Sequence, residues 1–223
     1  MNTIIKPYIK ENSKLDKAFF NYYKILDKEM PYKFSYLDEW ILKKSKKLLE
    51  EIDRIESNKE QLYRVYKRGS IVKVDFGVGL GSEMSQVHFA IVINNYDSNK
   101  NNVLTVIPLT SKKGKYTLDL GELIYDKIIK KIKDELLSLG SIEEKNEEEK
   151  FITESISKKL NTLLSYYKSN MKNTYACCNL ITTISKTRII PPINEYDKIG
   201  RVKCSAEVMD KIDGAIFNQF TKI

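Results

Sequence analysis

The chain has 223 residues, 42% of them hydrophobic and 10% aromatic, with a formal net charge of +8. These are globular values that exclude wholesale disorder, and the length suits one large domain or a small domain carrying helical additions. Runs of about eighteen apolar residues are absent and charges interrupt Met1 to Lys10, so neither an ordinary membrane-spanning helix nor a signal peptide is expected.

Three cysteines, with Cys177 and Cys178 adjacent, do not make a disulfide framework, so reduced thiols and a cytoplasmic setting are expected. One histidine, His88, and no Cys-x-x-Cys spacing argue against structural zinc or haem. No cofactor is expected. The positive charge favours an anionic partner such as RNA or DNA. Only Arg54, Arg64, Arg68, Arg188 and Arg201 among the 38 basic residues are arginine, the residue suited to bidentate phosphate contact, so a solvated lysine surface explains the charge about as well.

In chain order, residues 15–30 place Leu15, Phe19, Phe20, Tyr23, Leu26 and Met30 at helical spacing, and Pro31 ends the run. Ser35 and Asp38 have capping-box spacing ahead of a long helix. Ile41, Leu48, Ile55 and Leu62 recur every seven residues, flanked by a partial row at Leu37 and Val65, a seam suited to packing on a neighbour. At Lys67-Arg68-Gly69 the period changes. Strands are predicted at Ser70–Phe76, Val87–Asn94, Val103–Leu109 and Tyr116–Leu120, with Gly77, Gly79 and Gly81 in a mobile or tightly turned loop after the first. The second strand is nearly all apolar after His88, as for a strand buried on both faces.

Residues 122–172 read as a helical hairpin. Ile124, Ile128, Ile132, Leu136 and Leu139 line its first helix before Gly140; Ile152, Ile156, Leu160, Leu163 and Tyr167 line its second. Glu143-Glu144 and Glu147-Glu148-Glu149 read as a solvated turn and not a metal site. A strand region, Tyr175–Ile184, and a final helix from Ser205, with Val208, Met209, Ile212, Ile216 and Phe220 facing inward, complete the chain.

Three segments carry a resemblance. Arg68-Gly69-Ser70-Ile71-Val72-Lys73-Val74-Asp75-Phe76 runs into the glycine loop; Gly81-Ser82-Glu83-Met84-Ser85-Gln86-Val87-His88-Phe89-Ala90-Ile91-Val92-Ile93-Asn94-Asn95 follows; Val106-Ile107-Pro108-Leu109-Thr110-Ser111 comes third. Their order resembles the PemK/MazF family of toxin endoribonucleases, and Thr183–Arg188 with the last helix resembles the family's late strand, turn and helix. The resemblance covers about 67–121 and 175–223. It implies an α+β protein: a small SH3-like antiparallel β-barrel with a C-terminal helix over 67–223, interrupted by the 122–172 insertion and preceded by a helical extension, 1–66. It further implies a homodimer with a cognate antitoxin partner, cutting single-stranded RNA without metal to leave 2′,3′-cyclic phosphate and 5′-hydroxyl ends.

The family's catalytic pair is an arginine before the second strand and a Ser or Thr after the third. Here the second role falls on Thr110 and the first on His88, a departure, and Phe89 replaces the family's usual proline. Histidine, titrating ordinarily near about 6.5, suits proton transfer better than arginine and permanent phosphate binding worse. Two readings of His88 stand: a general acid or base, or a strand-end side chain hydrogen-bonded and idle. Gly79, Gly81, Ser82 and Glu83 match the family's RNA- or antitoxin-covering loop, where Glu83 contacts a base, orients His88 or simply holds the loop. Ser111, Lys112, Lys113 and Lys115 follow Thr110 as candidate phosphate contacts. Tyr96 and Tyr116 are either base-stacking or, more commonly for tyrosines in strands, core residues. A barrel that binds RNA or a protein without cutting is the alternative function.

Overall fold

A computed structural model describes residues 14–28, 32–140, 146–168 and 172–221. Met30, Pro31, Glu143 and Glu144 lie outside these residues. The described chain forms two compact units: residues up to Glu60 together with Phe76–Gln86, and Gln61–Asp75 together with the residues from Val87 onward.

The first unit holds helices α1 (Lys14–Leu26) and α2 (Leu37–Glu56) and the glycine loop. The Ser35–Asp38 capping box does not form. Ser35 already lies in a 3-10 turn, Phe34–Tyr36, where its hydroxyl donates to the Tyr32 carbonyl, and Asp38 accepts from its neighbour Glu39 N–H. The seven-residue row is also cut short. Asn58 adopts a left-handed conformation (φ 49°) just past α2, so Leu62 and Val65 fall outside the helix. Leu48, Ile55, Leu62 and Val65 are exposed, as are Leu15, Phe19, Phe20, Tyr23 and Leu26 of α1; α2 buries Leu37 and Trp40 instead.

Trp40 serves the glycine loop. Its ring lies where a side chain at Gly77 would start: a Cβ there would meet Trp40 Cε2 at 2.3 Å, and Gly77 has φ +75°. Lys33 Nζ donates to the Gly81 carbonyl at 2.8 Å, Gln86 Nε2 donates to the Tyr32 carbonyl at 2.7 Å, and Glu83 accepts from Leu80 N–H at 2.9 Å. The loop is therefore tightly turned and held from several sides. Gly77→Ala combines a forbidden contact with backbone strain and should destabilise this unit by about 1–3 kcal/mol. Because Trp40 is the single tryptophan, its emission reports the change directly: a red shift is expected, and an unshifted spectrum would show that the ring does not seal on Gly77.

The second unit is built on six antiparallel strands: β1 (Ile71–Asp75), β2 (Val87–Val92), β3 (Val103–Thr110), β4 (Thr117–Asp119), β5 (Tyr175–Cys177) and β6 (Thr182–Ser185). With the helices this makes an α+β fold. β3 is the spine. It pairs with β2 through Ala90↔Pro108, and on its other edge with β6 through Val103↔Ser185 and with β5 through Thr110↔Tyr175. The predicted strand Tyr175–Ile184 is thus two strands. A 3-10 turn at Cys178–Leu180, with Cys178 buried, carries the chain from one part of β3 to the next. The outer edge of β1 is met by the segment after β6, with Ile190 N–H donating to the Lys73 carbonyl at 2.8 Å and Ile71 N–H to Val202 at 3.1 Å, so the sheet curls toward closure and hides its edge.

Helix α3 (Lys130–Ser138), entered through a wide turn at Tyr125–Ile129, and α4 (Glu147–Tyr167) form the expected hairpin, with Gly140 left-handed (φ 68°) after α3. A capping box of Asn146 and Glu149 opens α4, so Glu147–Glu149 serve as its acidic first turn, favourable to the helix dipole. The hairpin does not sit outside the barrel core. Ile128, Ile132, Leu160, Leu163 and Tyr167 pack in one cluster with Ile71, Phe89, Ile91, Ile107 and Leu109, each large side chain contributing about 1.5–3 kcal/mol. Ile152, expected inward, is exposed one turn from the α4 start, before the helix reaches that core. Helix α5 (Ala206–Phe220), capped by Ser205, adds Met209 and Ile212; Phe220, also expected inward, lies in the last turn and is exposed. Tyr96 and Tyr116 are exposed at 91% and 55%, contrary to core burial, because both sit in connections beyond the strand ends. All three cysteines are free, and burial pushes the Cys177 thiol up to about 11.

Candidate active site

Strands β2 and β3 pair with a register that decides the site. The ladder ends at Ala90↔Pro108, and beyond it His88, near the start of β2, and Thr110, at the end of β3, come to the same end of the sheet. Both line a cleft of about 380 Å³ at this end of the sheet. Ser111 joins them, with Lys73 from β1, Phe89 from β2, Tyr166 from α4, and the chain at Lys172–Thr174 leading into β5.

His88 Nδ1 lies 3.1 Å from the Leu109 carbonyl oxygen. A carbonyl only accepts, so Nδ1 carries the proton, and in the neutral ring Nε2 is the basic nitrogen. Thr110 Oγ1 accepts from Lys112 N–H at 3.2 Å, which fixes the hydroxyl oxygen and leaves its own proton to be donated. Both side chains are partly exposed. Beneath them Phe89 stacks on Tyr167 (ring centroids 6.0 Å apart), and Tyr167 donates to the wholly buried Asp197 at 2.9 Å. Burial, with the Asp197 charge, pushes the Tyr167 phenol well above its ordinary value, so it stays protonated and structural.

The remaining expected residues divide. Ser111, Lys112, Lys113 and Lys115 are exposed on the turn after β3, where only Ser111 lines the cleft; Lys115 covers the Tyr116 ring at 5.2 Å. Gly79, Gly81, Ser82 and Glu83 belong to the other unit, where Glu83 is spent on the Leu80 N–H as a loop-holding carboxylate. Lys73, Tyr166 and Lys172 line the cleft without a motif that marks them in the sequence. Lys73 looked like the polar face of an alternating strand, although its neighbour on that face, Ile71, is fully buried.

Residues 67–131 match the family model described as PemK-like, MazF-like toxin of type II toxin–antitoxin systems. This segment is PemK/MazF-like. The match includes His88, Thr110 and the glycine loop, and continues past Gly121 into the first turns of the hairpin. Leu123, Ile124, Ile128 and Ile129, within the matched residues, belong to the buried cluster over the sheet. Among curated proteins none matches the chain.

Proposed function

We propose that this protein is a toxin-type endoribonuclease that cuts single-stranded RNA, with messenger RNA as its natural pool, by attack of a 2′-hydroxyl on the adjacent phosphodiester and without a metal ion. The observation that carries the reading is that His88 and Thr110 line one cleft and both fall in the segment that matches the PemK/MazF-like model. Neutral His88 takes the 2′-OH proton at Nε2. The 2′-oxygen then attacks phosphorus while the Thr110 hydroxyl and neighbouring backbone N–H groups donate to the non-bridging oxygens. The P–O5′ bond breaks and the 5′-oxygen leaves with a proton from solvent. A 2′,3′-cyclic phosphate and a 5′-hydroxyl result.

The same reading includes a homodimer, a cognate antitoxin that blocks the cleft, and action in the cytoplasm. It also uses Ser111, Lys112, Lys113 and Lys115 as outer phosphate contacts, with the loop of Gly79, Gly81, Ser82 and Glu83 covering RNA or antitoxin. The test is incubation of the purified chain with single-stranded RNA in the presence of EDTA, followed by end-group analysis. Fragments with 5′-hydroxyl ends that accept phosphate from a polynucleotide kinase are expected. Tight RNA binding without any fragment would replace the enzyme with a binding module of the same fold.

A further inference from the structure

Lys73 breaks the rule of its own strand face. It stands beside Ile71 and opposite Phe89, both core residues, with the buried Asp75 two residues further along the same face. Its ammonium lies 4.1 Å from the Tyr166 ring centroid and 5.6 Å from that of Phe89, and it donates to the Tyr166 hydroxyl oxygen. Among the described residues no carboxylate pairs with it. Two aromatic rings and one phenol oxygen therefore hold a lysine in the cleft, with no ion pair to it among the described residues.

The chemistry of the cleft leaves a place for that charge. A phosphodiester gains negative charge as the 2′-oxygen adds to it. His88 becomes an imidazolium as it takes the 2′-OH proton, but that charge stands at the 2′-oxygen, and Thr110 is an uncharged donor, so neither gives the non-bridging oxygens a permanent cation. We infer that the cleft contains a phosphate subsite whose cation is Lys73, set in place by Tyr166 of the helical hairpin. This rests on the endoribonuclease reading and deepens it. The Tyr166 oxygen accepts one ammonium proton, leaving two N–H donors for non-bridging phosphate oxygens. Lys172, on the rim of the same cleft, adds positive potential at the entrance. Tyr166 lies outside residues 67–131, so the hairpin contributes a positioning group as well as core.

The experiment uses the full chain as wild type, Lys73→Met, Lys73→Arg and Tyr166→Phe, with thermal melts as folding controls. A mixed-sequence single-stranded RNA pool measures cleavage, and a 2′-O-methyl pool, which cannot be cut, measures affinity across a salt series. Lys73→Met should cut at least about 10²-fold more slowly, the size of effect of removing one preorganised donor to a transition-state anion. Its slope of log affinity against log salt should fall by about 0.7, one single-strand phosphate contact. Lys73→Arg should stay within about tenfold of wild type, since it keeps the charge, and Tyr166→Phe should lower the cleavage rate with little change in affinity. Wild-type cleavage and an unchanged salt slope in Lys73→Met would overturn the subsite while leaving the nuclease intact. If wild type binds but never cuts, the nuclease reading falls and the salt slope alone decides Lys73. If wild type neither cuts nor binds, both fall. Should Lys73→Met fail to fold, Lys73→Gln carries the same comparison.

Discussion

His88→Ala should slow RNA cleavage by about 10²–10⁴-fold while leaving affinity for uncleavable RNA within a few-fold of wild type, because a general base acts in the transition state and contributes little to ground-state binding. Thr110→Val should lose a similar factor: it deletes the hydroxyl and keeps the β-branched shape that the end of β3 requires. The pH dependence separates chemistry from architecture. With His88 as base, the wild-type rate should fall as pH is lowered through the imidazole titration, and that limb should be missing from the residual activity of His88→Ala. His88→Arg should not restore it, since a guanidinium stays protonated. Wild-type cleavage by His88→Ala would reduce the Nδ1 contact with Leu109 to a strand-end anchor and remove the histidine from the reaction.

The hydrogen bond that orients His88 is also what made its role hard to judge from sequence. A histidine hydrogen-bonded to a carbonyl fits a resting structural residue as well as a tautomer fixed for catalysis. Register places His88 in the cleft, and the substitution decides between them. The alternation of Ile71 to Phe76 and the apolar run from Phe89 to Val92 read correctly as strands, and once Ala90 pairs with Pro108, His88 and Thr110 come to the same end of the sheet. What local pattern could not carry was tertiary. Lys73 fits a polar strand position until Tyr166, ninety-three residues further along, is placed over it. The hairpin looked like an insertion because its helices are amphipathic in their own right, yet Ile128, Ile132, Leu160 and Leu163 complete the core over the sheet. The N-terminal seam failed differently. Its spacing was real, but Asn58 ends α2 before Leu62, and the helix uses Trp40 against Gly77 as its buried contact.

The largest effect on stability should come from a pair far from the reaction. Asp97, in the connection between β2 and β3, and Lys186, in the turn after β6, form an ion pair at 2.7 Å with side chains 0% and 3% exposed. Lys186 Nζ also donates to the Ser98 carbonyl at 3.0 Å, while Asp97 accepts from Tyr66 N–H at 2.8 Å and Asn101 Nδ2 at 3.2 Å. The pair fastens the chain entering β3 to the chain leaving β6, and so helps hold the strand that ends at Thr110. Lys186→Met leaves a buried carboxylate without its cation and should cost about 3–5 kcal/mol. For a domain of this size that is a fall in melting temperature of about 6–20 °C. Asp97→Asn should cost a comparable amount by stranding the ammonium. The double variant should be less damaged than the sum of the two, because neither buried charge is then left alone. Burial alone would raise the Asp97 carboxyl, but the Lys186 ammonium and the N–H donors outweigh it and hold the group below its ordinary value of 3.8. The sign follows. The folded state binds this proton less readily than the unfolded state, so the stabilisation is complete above that value and fades as pH drops through the lower, folded-state titration. Wild type should therefore lose more stability than Asp97→Asn between neutral and strongly acidic pH. A Lys186→Met melt within about 1 °C of wild type, or parallel acid profiles for wild type and Asp97→Asn, would show that the pair does not fasten β3.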